Sequence, residues 1–561
     1  MRVGRSRGPW RALAPALALL VLACPPAAAA APGQIGSAQA TRIADRDSKV
    51  VEERREHPAL SSSANIVEGN WEVGYFAGGE ELALVIVDPQ SGLVRESWTG
   101  YQVAWKMARG YSGAFGHKLN APYVFLPLCA LFLLGLFDWR RPWRAANLDL
   151  LVLLGFGISN FFFNRAEIGI SVPLVYPVLL YLLGRALWIG LRGRGEGLRP
   201  VWPATWLLIA ALFLLGFRVG LNMADSGAID VGYAGVVGAD RIAHGEQLYD
   251  NFPEDVAQGD TYGPVNYAAY VPFERIWPWS GSWDDLPAAH GAAVFFDLAT
   301  FALLLLLGIR IRPGPAGRML GATLAFGWAT YPYTAYVLES NSNDSLVALL
   351  LVGTLVVIAR PVSRGVFAAL ATLTKFAPAL LVPMLATYSA ASAGEGNESG
   401  VEDDPAPSAP PSAVKGRAIW RFAVAFLGTV AALMLWPAIT PGLHTFYERT
   451  IAFQAQRHSP FSVWGQVPGL EPLRVAIFAA VATLALALAF RPRAKSLTQL
   501  AALGAALLIG VQLTAEHWFY LYIVWFYPLL LVALATLSGP HQLEASDRGG
   551  EIESASASNS A

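Results

Sequence analysis

Four polar stretches interrupt an otherwise apolar chain, and they hold the side chain types that grip phosphate and move protons. The longest, 225–272, carries Asp225, Asp230, Asp240, Arg241, His244 and Glu246. The second, 338–344, reads LESNSND. A third, 439–470, contributes Tyr447, Glu448, Arg449, Arg457, His458 and Trp464, and a fourth, 516–520 (EHWFY), opens the last apolar run. Lys375 stands alone in the middle of another such run. Ionisable groups beside or within membrane-length apolar segments mark chemistry or recognition more often than packing. Arginine, lysine and histidine suit a phosphate, whereas Asp, Asn and Trp suit a sugar hydroxyl, whose proton a carboxylate can take. Each residue also has a plainer reading. A loop Asp commonly caps a turn. Lys375 can snorkel or pair with Asp297 or Glu339. Arg457 with His458 can be a solvated pair, and His517 with Trp518 stands where an interfacial aromatic belt is expected.

The elements that must position these groups are membrane helices. Of 561 residues, 54% are hydrophobic and 14% charged, where a soluble domain carries about 25% charged. Mean hydropathy is +0.42. The chain is therefore expected to be an α-helical polytopic membrane protein. A net charge of −1 gives no basic face for nucleic acid. Two cysteines, Cys24 and Cys129, make neither a disulfide framework nor a thiolate metal site.

Residues 1–31 read as a signal peptide: Arg2, Arg5, Arg7 and Arg11 precede an apolar run and a small-residue tract. The stretch VLAC ending at Cys24 resembles a lipoprotein box, although Leu22 fits it poorly. Residues 32–118 form the one soluble-looking region at this end. There NWEVGYF (70–76) and ELALVIV (81–87) read as strands, DPQSG (88–92) as a turn and 93–98 as a returning strand. This strand–turn–strand pattern resembles the PepSY-like α+β modules of exported proteins, which implies a small binding or regulatory module without catalytic content.

Apolar runs of near-membrane length lie at 122–138, 147–163, 169–190, 203–221, 289–309, 319–337, 344–359, 365–388, 419–438, 471–490, 497–514 and 518–538, giving about 12–13 spans. Basic clusters fall between alternate runs, around Arg140–Arg144, Arg192–Arg199, Arg310–Arg318, Arg360–Arg364 and Arg491–Lys495. By the positive-inside rule they are cytoplasmic, and the 222–288 and 439–470 loops then face outside. The Pro/Ser/acidic linker 390–417 and the tail 539–561 read as disordered. Basic residues at 415–421 put the linker inside as well, so 365–388 is expected to be two half-spanning helices with Lys375 at the turn.

Within 201–538 the order of motifs resembles GT-C glycosyltransferases, and most nearly glycosyltransferase family 87, the mannosyltransferase-like group. The matching residues are Asp230 and Tyr233, HGEQLY ending at Tyr249, TYGP (261–264), NSND from Asn341 through Asn343 to Asp344, the Gly365–Pro378 stretch, and HWFY from His517 with Trp518. The region 119–200 lies outside the resemblance and reads as accessory helices. One departure is Ser340, where the family often has glutamine. The resemblance implies a GT-C-like fold and inverting transfer of a hexosyl, mannosyl-type residue from a polyprenyl-phosphate sugar to an extracytoplasmic lipid or glycan acceptor. It implies Asp230 as base, with Asp225 as runner-up. Arg457, His458 and Lys375 are implied as phosphate contacts, and Tyr233, Tyr249, Asn341, Asn343, His517 and Trp518 as substrate contacts. The partners implied are that donor, the acceptor and membrane lipid, in a multi-pass plasma-membrane protein working on its outer face. No organic cofactor is implied, and a divalent metal stays open, since the acidic loop offers oxygens without dedicated ligand spacing. A transporter would instead show paired polar groups deep in several spans or an internal repeat, and a scaffold displaying the N-terminal module would tolerate loss of Asp230.

Overall fold

The computed structural model describes residues 34–67, 69–113, 117–389, 411–457 and 459–537. The expected signal peptide, residues 390–410 of the linker, the tail and His458 lie outside these. The chain divides into two compact units, at Lys106 and Met107.

The first unit is an α+β module. Strands β1 (Ser61–Val67), β2 (Asn70–Ala77), β3 (Glu80–Val87) and β4 (Val94–Thr99) form an antiparallel meander in that order. The register pairs Trp71 with Val87, Val73 with Val85 and Tyr75 with Ala83. Alternate residues thus share one face, and this face packs on Ala40, Ala44 and Val50 from helices Ser37–Ala44 and Ser48–Glu56. The expected DPQSG turn closes on Asp88, whose side chain accepts from the N–H groups of Gln90 (2.9 Å) and Ser91 (2.8 Å).

The second unit is helical throughout its apolar runs, and 119–200 belongs to the same compact unit as 201–537. Among the described residues, seven helices are long and apolar enough to cross a membrane: Ala145–Asn164, Ile168–Arg192, Ala204–Asp225, Pro287–Ile311, Gly416–Ala455, Glu471–Phe490 and Leu497–Thr514. Four shorter apolar helices accompany them: Pro122–Leu136, Asp344–Val356, Ala377–Ala386 and Tyr520–Thr536. The chain is a multi-pass membrane protein. Two buried ion pairs lie inside it, as a low dielectric favours. Arg218 meets Asp297 at 2.7 Å, with both side chains 1% exposed, and Arg185 meets the fully buried Asp149 at 2.9 Å.

Four of the five basic clusters collect at one end of this bundle, and the fifth is tied to the same end. Arg144 donates to Gly197 O (2.8 Å), Gln499 to Gly190 O (3.1 Å) and Arg312 to Thr536 O (3.2 Å). Thr387 donates to Ala489 O at 2.6 Å, just ahead of Arg491. The 365–388 run is broken. Helix Pro361–Thr372 stops before Lys375, and Ala377–Ala386 folds back against it. Arg364 near one end of this hairpin lies 5.4 Å over the ring of Tyr388 at the other, so Lys375 sits at its tip.

Two expected loops are largely helical. The helix Gly416–Ala455 runs through 439–455 with π-type turns and a break at Thr440, beside Pro437 and Pro441, which cannot donate to the helical ladder. It begins at Pro411, within the stretch expected as linker. Residues 230–244 of the polar loop are also a helix. Its glycines argue against helix by propensity, but they permit close contact. A Cβ on Gly235 or Gly238 would strike the rings of Tyr270 (2.7 Å) and Tyr267 (2.2 Å).

Candidate functional site

Asp230 is the first residue of that loop helix, and its carboxylate accepts from the adjacent Val231 N–H (2.9 Å). The helix start is pinned to the LESNSND patch. Ile229 N–H donates to Ser340 O (3.1 Å), and a Cβ on Gly232 would lie 2.3 Å from Asn341 O. Asn341 itself has φ 47° and is held by Asn222 (2.9 Å) and Ser226 (3.0 Å).

Asp230 opens on a cavity of about 260 Å³, walled by Glu254, Asp255, Ala257, Gln258, Thr261, Tyr262 and Arg457. Arg449 fixes this wall through a two-pronged pair with buried Asp260 (2.7 Å each) and a bond to Ala257 O. Asp260 also accepts from Asp250 N–H at 2.7 Å. A larger cavity of about 580 Å³ lies alongside, and Thr261, Tyr262 and Arg457 border both. Its polar lining comes from helix ends and connections: Lys375, Arg457, Arg474, Glu516 and His517. Its apolar lining (Leu380, Ile451, Val475, Phe478, Val511) comes from the apolar helices themselves. An amphipathic cavity of this kind can take a phosphate at one part and a hydrocarbon chain at another.

Lys375 is 5% exposed, and its Nζ donates to Asp344 Oδ1 at 2.5 Å. Asp344, rather than Asp297 or Glu339, is thus its partner, since Asp297 is taken by Arg218. The Asp230 carboxylate is exposed to the cavity it borders, with protein packed around that cavity. This enclosure pushes its pKa above the usual value, an effect offset first by Arg457 and then by Lys375. Half-buried His517 is pushed well below the ordinary imidazole value by desolvation, then by Arg457 and Lys375. Its Nδ1 lies 2.9 Å from Ser459 Oγ.

Of the residues singled out from sequence, Asp230, Arg457, Lys375 and His517 line the two cavities. His458 lies outside the described residues, and Asp225, Tyr233, Tyr249, Asn341, Asn343 and Trp518 line neither. Asp225 is an exposed ion pair with Lys118 (2.6 Å). Tyr233 is buried behind the small cavity, donating to Asp255 (3.1 Å) and stacked on Trp283. Tyr249 donates to Tyr262 O (3.0 Å) from the core, and Trp518 donates to Gln512 (3.1 Å). Asn341 shapes a turn, and Asn343 is fully buried with neither amide atom hydrogen-bonded. Four residues that sequence reading gave no role, Asp344, Asp260, Arg449 and Trp525, hold the site together. Asp344 had a legible signal, since a lone carboxylate opening one apolar run and a lone lysine inside another must find partners. For a metal, the described residues bring three ligand atoms together only at Glu53, Glu56 and His57 in the first unit, so the small cavity offers no such set.

No family model matches the chain, and no curated protein does. Among solved structures, ArnT from Cupriavidus metallidurans bound to undecaprenyl phosphate is similar, with a TM-score of 0.36 and 14% identity. That alignment covers 63% of this chain, and the chain spans 63% of the length of the solved one.

Proposed function

We propose that this protein is a membrane glycosyltransferase of GT-C type. It moves a hexosyl, mannosyl-type residue from a polyprenyl-phosphate sugar to a hydroxyl of a lipid or glycan on the outer face. The observation that carries this reading is the meeting of two unlike cavities at Arg457, one amphipathic and lined by Lys375 and His517, the other polar and holding Asp230. The large cavity takes the donor, with isoprenoid along Val475 and Phe478 and phosphate at Lys375 and Arg457. The small cavity takes the acceptor hydroxyl. Asp230 removes its proton as the oxygen attacks the anomeric carbon from the face opposite the phosphate, so the configuration inverts. The C–O bond to phosphate breaks, and the charge growing there is met by Arg457 and Lys375. Tyr262, on both cavities, separates the two substrates.

A structure determined with a polyprenyl phosphate added tests this reading. The expected result is phosphate density beside Lys375 and Arg457, with the chain leaving past Val475. Lipid phosphate bound elsewhere, with both cavities empty, would overturn it.

A further inference from the structure

We propose that Asp344 is a positioning residue that fixes the Lys375 ammonium at the donor cavity. The inference rests on the donor-cavity reading above. Lys375 sits at the tip of a hairpin, where a long flexible side chain would otherwise sample many rotamers. Here it is boxed by three rings, with Nζ 5.0 Å from the centroid of Tyr262, 5.2 Å from Trp525 and 5.4 Å from Tyr522. These faces attract a cation but leave its direction open. Asp344 sets the direction. Its Oδ1 accepts from Lys375 Nζ (2.5 Å) and from Trp525 Nε1 (2.7 Å), while Ser342 Oγ donates to Oδ2 (2.9 Å). The carboxylate is 1% exposed and lines neither cavity, so it touches no substrate and is not a second base. An ammonium has three donors. One is spent on Asp344, and the other two remain for phosphate.

The test is a double-mutant cycle on full-length protein in proteoliposomes, with donor KM, acceptor KM and kcat measured separately. Asp344→Asn keeps the shape and the bond from Trp525, reverses the bond to Ser342 so that the amide N–H donates to Oγ, and removes the charge. Donor KM should rise roughly 10–100-fold, the range for losing a charge-assisted bond, while acceptor KM stays within about twofold. Lys375→Met should raise donor KM comparably. The double variant should be no worse than Lys375→Met alone, because Asp344 acts only through the lysine. Multiplying losses in the double variant, or a wild-type donor KM in Asp344→Asn, would overturn the proposal. Where Asp344→Asn does not fold, Ser342→Ala removes one bond to the same carboxylate from a residue that lines neither cavity. Its donor KM should rise several-fold, and that effect should vanish when Lys375 is already Met; persistence would overturn it. Binding of a polyprenyl phosphate lacking the sugar should weaken in parallel. Wild-type protein that uses no polyprenyl-phosphate sugar would defeat the functional reading instead, which separates the two failures.

Discussion

Asp230 combines enclosure with two cationic neighbours, and a pH profile reads that combination directly. A base must be ionised, so activity falls as pH drops through its pKa. Enclosure raises that pKa, which should place the acid limb of kcat/KM above the usual carboxylate range. Arg457 holds the pKa down, so Arg457→Met should move the limb to still higher pH while weakening donor use. An acid limb identical in both proteins would show that another group titrates. Asp230, Arg457 and Lys375 were legible in sequence because charge in apolar surroundings is costly without a purpose or partner. The aromatics were not. Tyr233, Tyr249 and Trp518 have the same reasons to fill a core as to line a site, and only geometry places them behind the walls. Asn341 depended on a left-handed backbone and on partners more than a hundred positions away, which no local pattern reveals.

The wall 250–262 and the hairpin tip hold these side chains in place. Arg449 bridges the kinked helix Gly416–Ala455 to Asp260, so Arg449→Ala strands a buried carboxylate. The local loss should be about 1–3 kcal/mol. Hydrogen exchange should quicken across 250–262, and acceptor KM should rise with donor KM little changed; an unaltered exchange pattern would mean that the wall stands without this pair. The broken helix at Lys375 was legible because basic residues flanked both ends of a single apolar run. The helix Asp230–His244 was not, since Gly232, Gly235 and Gly238 are poor helix formers until the neighbours they admit are known. Proline and charge near 440 likewise read as a loop, whereas the helix continues through them with altered turns.

The bundle separates a basic end from the end carrying both cavities, and by the positive-inside rule we propose that the cavities face the exterior. With Cys24→Ser and Cys129→Ser as background, Gln258→Cys should react with an impermeant thiol reagent in intact cells. Ala494→Cys, beside the basic cluster at Arg491–Lys495, should react only after permeabilisation. The reverse pattern would put the acidic cavity in the cytoplasm and remove the need for a lipid-carried donor. The most direct test follows labelled sugar from a polyprenyl-phosphate donor into membrane-extractable product by wild-type and Asp230→Asn proteins in proteoliposomes. Asparagine keeps the size and hydrogen bonding but takes no proton at neutral pH, so turnover should fall about 10²–10⁴-fold, with binding of the polyprenyl phosphate intact. Near-normal turnover by Asp230→Asn would contradict the assignment, and equal loss confined to Asp225→Asn would move the base to that residue.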